Sequence, residues 1–480
     1  MKIKDLLCGL NIKTNYDDID IQGITCDSRR VKPGWVFVCI IGTNTDGHQY
    51  AQNAYKNGAR IILCQHTVNL PNEIIVPDTR KIYPAACANF FGNPSKKLHL
   101  IGITGTNGKT TSTYIIRHIL EGNGYKTGLI GTIQNIAGNE ITEAHNTTPD
   151  AYDLQELFYK MVKSGCTHCV MEVSSHALDQ GRMAGCHYDV AVFTNLTQDH
   201  LDYHGTMENY LSAKRKLFEV CDTAVINKDD PYSKQLISGL SCKIVTYSIK
   251  SNDADYTAQD LRYKSDGVRF IMTGKNNEIS RVKLHIPGQF SAYNAIGSAA
   301  AAIEAGIPFE KTCEALSTAT GVKGRVEVVP TGRDFTVIID YAHTPDGLIN
   351  VLSALKSTIT GRLVVLFGCG GDRDRTKRPL MAKAVMESAD FAIITSDNPR
   401  TENPSKIIDD ILEGTKGYNT PYIVIENRKE AIYWAIEHAQ PNDVILLAGK
   451  GHETYQILDT GTIHFDEREV VAEALKVYNG

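Results

Sequence analysis

The most constraining feature of the sequence is a short Gly-rich stretch between an apolar run and a helical pattern. Residues 98–104 are mostly apolar, and residues 105–111 read Gly-Thr-Asn-Gly-Lys-Thr-Thr. Apolar side chains then recur at helical spacing at positions 115, 116, 119 and 120. The order strand, Gly-rich turn, helix is the setting that a phosphate-binding loop requires. The stretch therefore predicts an α/β domain that binds a nucleotide.

The chemistry of this loop is local. Glycines let the backbone curl so that N–H groups point inward, and the helix start adds its positive end. A lysine supplies charge for the terminal phosphates, and a threonine hydroxyl can hold Mg²⁺. Ile103 stands where the common P-loop has its first Gly, so a Gly-rich turn that only begins a helix is the alternative. We favour phosphate binding by Gly105, Thr106, Asn107, Gly108, Lys109, Thr110 and Thr111.

Composition bounds the class of protein. A chain of 480 residues is too long for one core, and about three domains are expected. The net charge of −5 argues against a nucleic-acid partner. No apolar run reaches the roughly 18 residues of a membrane helix, and the N-terminus does not resemble a signal peptide. The 12 scattered cysteines predict reduced thiols in a cytoplasmic protein, and the Cys166–Cys169 pair is interpreted as part of a buried strand.

The fold class that we predict is α/β, in three domains. Residues 1–95 form a small mixed α/β domain, residues 96–324 a central P-loop ATPase-like domain with a mainly parallel sheet, and residues 325–480 a C-terminal Rossmann-like α/β domain. Predicted strands lie at 128–132, 167–173, 189–194, 223–227, 335–340, 363–367, 391–395, 422–425 and 443–447, and predicted helices at 151–164, 377–388, 405–414, 428–438 and 467–478.

Polar clusters follow the predicted strands, and the carboxyl ends of parallel strands meet at one edge of a sheet. Glu172 follows one strand, and Asp199, His200 and Asp202 follow the next. A carboxylate is a hard oxygen ligand that suits Mg²⁺, whereas imidazole is less usual for it. We expect functional roles for Glu172 and His200 and a surface role for Asp202. In the last domain, four polar loops at 340–346, 368–374, 396–400 and 449–453 also follow strands.

Taken together, the motifs resemble the Mur ligases, which are ATP-dependent amide-bond-forming enzymes of peptidoglycan precursor synthesis. The resemblance rests on the loop at 105–111, Asn146-Thr-Thr148, Glu172-Val-Ser-Ser-His, the segment 199–205 and Ala213-Lys214. The Asp-Ser-Arg and Pro-Gly motifs of the first domain, with the loops at 370–374 and 397–400, are similar to members that add the third amino acid. The likeness spans nearly the whole chain.

The resemblance implies binding residues for two substrates. The uridine nucleotide of UDP-N-acetylmuramoyl-L-alanyl-D-glutamate would lie on Ser28, Thr43, Asn44 and Thr45, although Trp35 departs from the polar residue usual in the family. The muramoyl dipeptide would be held by Asn146, Thr147, Thr148, Ser174, Gln180 and Arg182. ATP would also meet Asn294, Arg325, Asp340 and His343.

Lys214 gains a role only through the resemblance. From its helix alone it would be interpreted as part of a solvated face. The matching lysine of the family is carbamylated to N6-carboxylysine, which converts a cation into an oxygen anion that can help to hold Mg²⁺. Catalysis would then use Lys109, Glu172, His200 and Lys214, and the metal ligands would be Thr110, Glu172, His200 and Lys214.

The expected reaction passes through an acyl phosphate. The D-glutamyl carboxylate attacks the γ-phosphorus of ATP, and the amine of the third amino acid then displaces phosphate, which implies closure of the last domain. Arg400 offers a planar fork for the distal carboxylate of meso-diaminopimelate, which L-lysine lacks. The family's amino-acid site corresponds to Arg373, Asp397, Asn398, Pro399, Arg400, Gly449 and Glu453.

Three alternatives remain open at this point. The first is the same ligation with L-lysine, and the second is a ligase like the folylpolyglutamate synthases, which share the loop. The third is a nucleotide-dependent binding switch, which needs Lys109 and Mg²⁺ but no amine acceptor. The expected partners are small molecules only, with no nucleic acid and no membrane, and the family resemblance implies a monomer.

Overall fold

The computed structural model describes residues 1–42, 45–144, 146–264, 267–356 and 359–478. The chain divides into two compact units. The first comprises Met1–Tyr256 and Gly297–Thr312, and the second comprises Thr257–Ile296 and Cys313–Gly480. Both are built from alternating strands and helices, so the predicted α/β fold class is confirmed.

The first unit begins with a small, wholly parallel sheet. Its strands lie in the order β1-β2-β3-β4, and buried aliphatic side chains such as Ile24, Val36 and Leu63 pack against the helix that follows β4. The elements are α1 (Ile3–Leu6), β1 (Gly23–Thr25), β2 (Trp35–Val38), α2 (Ala51–Lys56), β3 (Ile61–Cys64), β4 (Glu73–Ile75) and α3 (Thr79–Phe90).

A larger sheet follows in the same unit. Its elements are β5 (His99–Thr104), α4 (Lys109–Gly122), β6 (Thr127–Ile130), β7 (Gln134–Ala137), β8 (Glu140–Glu143), α5 (Ala151–Lys163), β9 (His168–Glu172), α6 (Ser175–Asp179), β10 (Tyr188–Phe193), α7 (Leu201–His204), α8 (Met207–Arg215), β11 (Cys221–Asn227), α9 (Ser233–Ile237) and β12 (Lys243–Ser248). The order β12-β11-β10-β5-β9-β6 is parallel, and β7 and β8 add antiparallel strands beyond β6.

The position of β5 in this sheet determines where the first site forms. β5 pairs with β9 on one side and β10 on the other, so the segments after these three strands leave the sheet at neighbouring positions. The chain runs from β5 outward to β6 and later from β9 across to β10, which places a change of winding direction at β5. Ligands of open parallel sheets bind at such a point.

The second unit contains an antiparallel meander and a doubly covered sheet. Its elements are β13 (Tyr256–Lys264), β14 (Gly267–Thr273), β15 (Ile279–Leu284), α10 (Gln289–Glu304), α11 (Phe309–Leu316), β16 (Glu327–Val329), β17 (Thr336–Asp340), α12 (Pro345–Lys356), β18 (Leu363–Phe367), α13 (Lys377–Ser388), β19 (Phe391–Ile394), α14 (Pro404–Leu412), β20 (Tyr422–Val424), α15 (Arg428–Glu437), β21 (Val444–Ala448), β22 (Tyr455–Leu458), β23 (Gly461–His464) and α16 (Glu467–Val477). Of these elements, Tyr256 and the stretch Gly297–Thr312, which holds the second half of α10 and the start of α11, belong to the first unit.

Alternate residues of the second sheet face opposite cores. The order is β16-β17-β21-β18-β19-β20, parallel except for β16. Ile338 and Leu446 pack with α12, α13 and α14, whereas Ile339 and Leu447 pack with α15 and α16. Burial on both faces explains why these strands are continuous apolar runs in the sequence.

The predicted strands and helices are confirmed to within a few residues. The buried-strand interpretation is confirmed for Cys169, which lies in β9 with no exposed surface, whereas Cys166 is buried but precedes the strand. The meander β13–β15 and the hairpin β22–β23 were not predicted. Within the described ranges, none of the helices has the length and apolar character to cross a membrane.

Candidate functional site

The Gly-rich loop after β5 is held in shape by the segment after β10. The backbone N–H of Thr106 donates to Asn195 O at 2.9 Å, and the N–H of Asn107 donates to Asn195 Oδ1 at 2.9 Å. Thr194 Oγ1 donates to Asn107 O at 2.6 Å. These bonds fix the loop before any ligand arrives, so the free-energy cost of ordering it on binding is reduced.

Two glycines are required by this geometry. A Cβ at position 105 would lie 1.9 Å from Thr194 Oγ1, and the φ of Gly105 is 150°. Gly108, with φ 87°, is the N-cap of α4, and the first bond within that helix runs from Ser112 N–H to Gly108 O at 2.9 Å. The helix itself therefore does not use the N–H groups of its first turn, which makes this end suited to anions.

Two lysine ammonium groups meet at the loop. Lys109 Nζ donates to Gly105 O at 2.9 Å and to Thr106 O at 2.8 Å, and Lys214 Nζ donates to Gly105 O at 2.8 Å. Both cations are thus drawn onto carbonyl oxygens at the place where the sequence predicts terminal phosphates.

The structure contradicts the interpretation of Lys214 as a solvated residue, which rested on its helix alone. It is 1% exposed, and its ammonium lies 4.3 Å from the centre of the Tyr210 ring. Burial, and then the charge of Lys109, hold the pKa of Lys214 well below its usual range. Its neighbour Lys216 does have the predicted exposure and pairs with Asp179 at 2.8 Å. The charge pattern of α8 could not distinguish the two.

A buried carboxylate faces the start of α4. Glu172, at the end of β9, has no exposed surface and accepts hydrogen bonds from Thr110 Oγ1, Thr132 N and Thr132 Oγ1, each at 2.9 Å. These donors are all neutral, and among the described residues Glu172 has no ionic partner. A carboxylate beside threonine hydroxyls is a set of hard oxygens, which fits the ligand preference of Mg²⁺. No motif in the sequence indicated a role for Thr132.

His200 lies close to the loop through Tyr210. Its backbone is left-handed, with φ 52°, and its ring centre is 4.8 Å from that of His176 and 6.3 Å from that of Tyr210. Tyr210 Oη is 3.3 Å from Thr106 Oγ1. Asp199 Oδ2 lies 3.4 Å from His200 Nε2, and the Asp202 side chain is outside the described part of the structure.

The residues assigned to the muramoyl dipeptide cluster behind Glu172. Thr148 Oγ1 donates to Glu172 O at 2.9 Å and accepts from Ser174 N at 3.0 Å. Arg182 Nη1 donates to Thr148 O at 2.9 Å and Arg182 also contacts Gln180 Oε1 at 2.7 Å. Thr147 Oγ1 is 3.1 Å from Thr132 Oγ1, and Asn146 is exposed in the same turn.

The predicted uridine residues are described only in part. Ser28 is buried, and its carbonyl accepts from Asn57 Nδ2 at 3.1 Å. Thr45 O accepts from Gly42 N at 2.8 Å, while Thr43 and Asn44 lie outside the described residues. Trp35 packs against Tyr152, with ring centres 6.0 Å apart.

In the second unit, three of the residues assigned to ATP surround Tyr341. Asp340 is buried and accepts from Val326 N and Ala342 N, each at 2.8 Å, and burial raises the pKa of its carboxyl. The guanidinium of Arg325 lies 5.0 Å from the Tyr341 ring centre, and the His343 ring lies 4.6 Å from it. The fourth residue, Asn294, is buried in α10, and no described contact joins it to these three.

The loops assigned to the amino acid interlock in the same unit. Arg400 Nη1 donates to Gly371 O at 2.9 Å, and Arg400 N donates to Ile457 O in β22 at 3.1 Å. A Cβ at position 371 would lie 1.9 Å from Pro399 O, so the two loops can pack only if this residue is glycine. Arg400 is itself left-handed, with φ 52°. Arg373 is exposed, and its Nη1 donates to Asp372 O at 3.0 Å.

A buried lysine lies beneath these loops. Lys450 has no exposed surface, and its Nζ lies 3.0 Å from Asn398 Oδ1, 3.1 Å from Glu453 Oε2 and 3.6 Å from Asp397 Oδ1. Gly449 lies beside Asp397, because a Cβ there would be 2.7 Å from Asp397 Oδ2. The predicted amino-acid site includes Gly449 and Glu453 but not Lys450, which lies between them in the sequence. The sequence feature that could have indicated a role for Lys450 is its position inside the polar segment 449–453.

Three family models match successive parts of the chain. They are described as "Mur ligase family, catalytic domain" for residues 20–95, "Mur ligase middle domain" for residues 103–302, and "Mur ligase, glutamate ligase domain" for residues 324–451.

Curated relatives match over nearly the full length. A UDP-N-acetylmuramoyl-L-alanyl-D-glutamate--2,6-diaminopimelate ligase of Clostridium botulinum is 50% identical over 465 residues, which is 95% of each chain. The ligase of the same name from Caldanaerobacter subterraneus is 50% identical over 483 residues, or 99% of each. A solved structure with that name superposes with a TM-score of 0.76 at 34% identity, and covers 100% of this chain and 99% of its own.

The α/β fold, the Gly-rich loop before α4 and the buried oxygen cluster are the features expected of a nucleotide-using enzyme. The chain belongs to the Mur ligase family. It is therefore an ATP-dependent ligase of peptidoglycan precursor synthesis, with ATP as its co-substrate.

Proposed function

We propose that the protein joins meso-diaminopimelate to the D-glutamyl carboxyl group of UDP-N-acetylmuramoyl-L-alanyl-D-glutamate, with formation of ADP and phosphate. The observation that carries this proposal is the open edge of Arg400. Its Nη1 is bound to Gly371 O, whereas its Nε and Nη2 make no hydrogen bond within the described residues. These two nitrogens form the side of the guanidinium that binds a carboxylate in bidentate fashion. L-Lysine has no distal carboxylate to offer.

The first half of the reaction uses the loop of the first unit. ATP phosphates replace the carbonyl partners of Lys109, and its ammonium offsets their charge as the D-glutamyl carboxylate attacks the γ-phosphorus. We propose Thr110, Glu172, His200 and modified Lys214 as the residues that would hold Mg²⁺. When bound, the ion supplies charge neutralisation between two approaching anions. The amine of diaminopimelate then attacks the acyl phosphate, and phosphate leaves.

Modification of Lys214 is part of the proposal. Carbamylation joins an uncharged amine to CO₂ and releases one proton, and burial favours the uncharged amine at this position. The product carries oxygens where the unmodified residue has an amine nitrogen. Intact-protein mass spectrometry in bicarbonate buffer should show the added mass of one CO₂ in the native chain, and a Lys214→Met variant should not show it.

The remaining binding residues and the domain division are proposed on the same basis. The uridine nucleotide would lie in a domain spanning residues 1–95 and the ATP loop in one spanning 96–324, with the amino-acid site in 325–480. The limits of the three family models support this division. We further propose that the protein works as a monomer in the cytoplasm on small-molecule substrates.

The experiment offers the purified protein ATP, Mg²⁺ and the nucleotide dipeptide together with either meso-diaminopimelate or L-lysine. Product is measured by mass. We expect efficient ligation of diaminopimelate and poor ligation of L-lysine. Equal use of both amino acids would refute the role of Arg400. Ligation of glutamate to a folate would favour the folylpolyglutamate alternative, and ATP hydrolysis that needs no amine would favour a binding switch.

A further inference from the structure

The side chain of Lys450 occupies a position that the reaction scheme does not use. It is fully buried, yet its ammonium lies among three side-chain acceptors from two loops. A buried charge is costly unless it is paired and hydrogen-bonded. Lys450 meets that condition by joining the loop 397–400 to the loop 449–453.

Lys450 fixes the orientation of the Asn398 amide. Asn398 Oδ1 accepts from Lys450 Nζ at 3.0 Å and from Ile457 N at 3.0 Å. With its oxygen held by two donors, the amide must point its nitrogen the other way, and Nδ2 donates to Glu453 Oε2 at 2.9 Å. The amide cannot flip without the loss of all three bonds.

The same arrangement prepares Glu453 for a ligand. Its Oε2 accepts from both Asn398 Nδ2 and Lys450 Nζ, at 2.9 and 3.1 Å. Its Oε1 has no hydrogen bond in the part of the chain that the structure describes, and the side chain is 14% exposed. One carboxylate oxygen is thus pinned by the protein while the other stays available for an ammonium group.

We propose that Lys450 is a positioning residue for amino-acid selection, which holds Asn398 and Glu453 so that Glu453 Oε1 receives an ammonium group of the incoming diamino acid. The inference rests on the proposed function, because it assumes that Glu453 meets that substrate. Lys450 itself does not touch the substrate. Preorganisation of this kind lowers the cost of binding, because the acceptor does not have to be ordered by the ligand.

The test compares Lys450→Met with Lys356→Met, a control on the same unit whose ammonium donates to Ser388 O at 2.7 Å. Hydroxylamine traps the acyl phosphate as a hydroxamate without any amino-acid site. We expect Lys450→Met to raise the KM for diaminopimelate by about tenfold or more, as for a lost hydrogen bond to a charged group. Hydroxamate formation and the KM for ATP should stay near those of the Lys356→Met control.

A double-mutant cycle with Glu453→Gln separates positioning from general stability. If Lys450 acts through Glu453, the double variant should be little worse in diaminopimelate KM than Glu453→Gln alone. Additive effects, or parallel loss of hydroxamate formation, would overturn the proposal. Should Lys450→Met fail to fold, Lys450→Gln carries the same measurements. A wild-type protein that makes hydroxamate but ligates no diaminopimelate would refute the proposed function instead.

Discussion

The two candidate sites of this protein are built by different means. In the first unit, the loop 105–111 gains its shape from hydrogen bonds to its backbone and from Gly105, which leaves no room for a Cβ. In the second unit, the loops 370–374 and 397–400 also need a glycine at position 371, but buried charged side chains support the loops as well. Arg378 binds Gly370 O at 3.3 Å and Glu402 at 2.8 Å, and Lys450 binds Asn398 at 3.0 Å and Glu453 at 3.1 Å.

The difference matches the ligand that we propose for each site. A triphosphate is recognised by repeated N–H groups and one charge, which a turn and a helix start provide. A diamino acid with two carboxylates needs single side chains at fixed positions, and buried residues must hold those side chains in place. A backbone-built site is therefore visible as a motif, whereas a site built on buried charges depends on contacts between distant loops.

The largest expected effect is on the backbone-built site. Lys109→Ala removes the only loop side chain that carries charge to the phosphates, and kcat should fall by about 1,000-fold or more. A steady-state assay of phosphate release measures it, and Lys97→Ala, an exposed lysine before β5, is the control. Retention of activity within tenfold of the control (about 1.4 kcal/mol) would mean that the loop does not hold the reacting phosphates.

The second prediction concerns the removal of a buried ion pair from the second unit. Arg428 and Glu467 form a fully buried pair at 2.8 Å, and Arg428 also donates to Ala448 O at 2.7 Å. Arg428→Met should lower the free energy of unfolding by about 3–5 kcal/mol, because Glu467 is left as an unpaired buried charge. The chain has 2 tryptophans, so Trp434 fluorescence in a Trp35→Phe background reports this unit alone during urea unfolding.

The pH dependence of that loss follows from the pKa of Glu467. Burial raises this pKa above its ordinary value of 4.5, so the folded state keeps the proton to higher pH than the unfolded state. Such a group stabilises the fold below its unfolded pKa, and the contribution disappears as the pH rises through the folded pKa. The charge of Arg428 holds this pKa down, so Arg428→Met raises it further. The deficit of the variant should therefore be smallest near pH 4.5 and should grow toward neutral pH. A deficit independent of pH would contradict this account.

The third prediction concerns recognition rather than support. Arg400→Ala should raise the KM for diaminopimelate by roughly 10- to 100-fold, which is the value of a hydrogen bond between charged groups, and should leave the KM for ATP nearly unchanged. Arg375→Ala is a matched control, because Arg375 lies in a neighbouring loop, is exposed and pairs with Asp410 at 3.0 Å. Unaltered selectivity between diaminopimelate and L-lysine in Arg400→Ala would refute the assignment.

The smallest expected effect tests whether burial determines how much an ion pair contributes to the free energy of unfolding. Arg30 and Asp153 in the first unit form a pair at 2.8 Å, but their side chains are 46% and 42% exposed. Solvent screens such a pair, and Arg30→Ala should cost less than about 1 kcal/mol of unfolding free energy. Trp35 fluorescence in a Trp434→Phe background measures it. A loss as large as that of Arg428→Met would remove the distinction drawn between the two units.

Sequence reasoning succeeded where the determinants are local. The strand–loop–helix at 98–120 and the apolar strands of both large sheets follow from periodicity and glycine placement. It failed for Lys214, because nothing in α8 distinguishes a lysine that packs on Tyr210 from the exposed Lys216. Lys450 and Thr132 were missed for the same reason, since their roles depend on partners more than 35 residues away, such as Asn398 and Glu172.

The left-handed backbone of Arg400 has a practical consequence. A side chain with a Cβ pays an energetic penalty in this conformation, which glycine avoids and asparagine tolerates more easily. Directed evolution for heat resistance should thus enrich Gly or Asn at position 400, and the enriched variants should use other amino acids without selectivity. Thermal stability and substrate selectivity therefore favour different residues at this position.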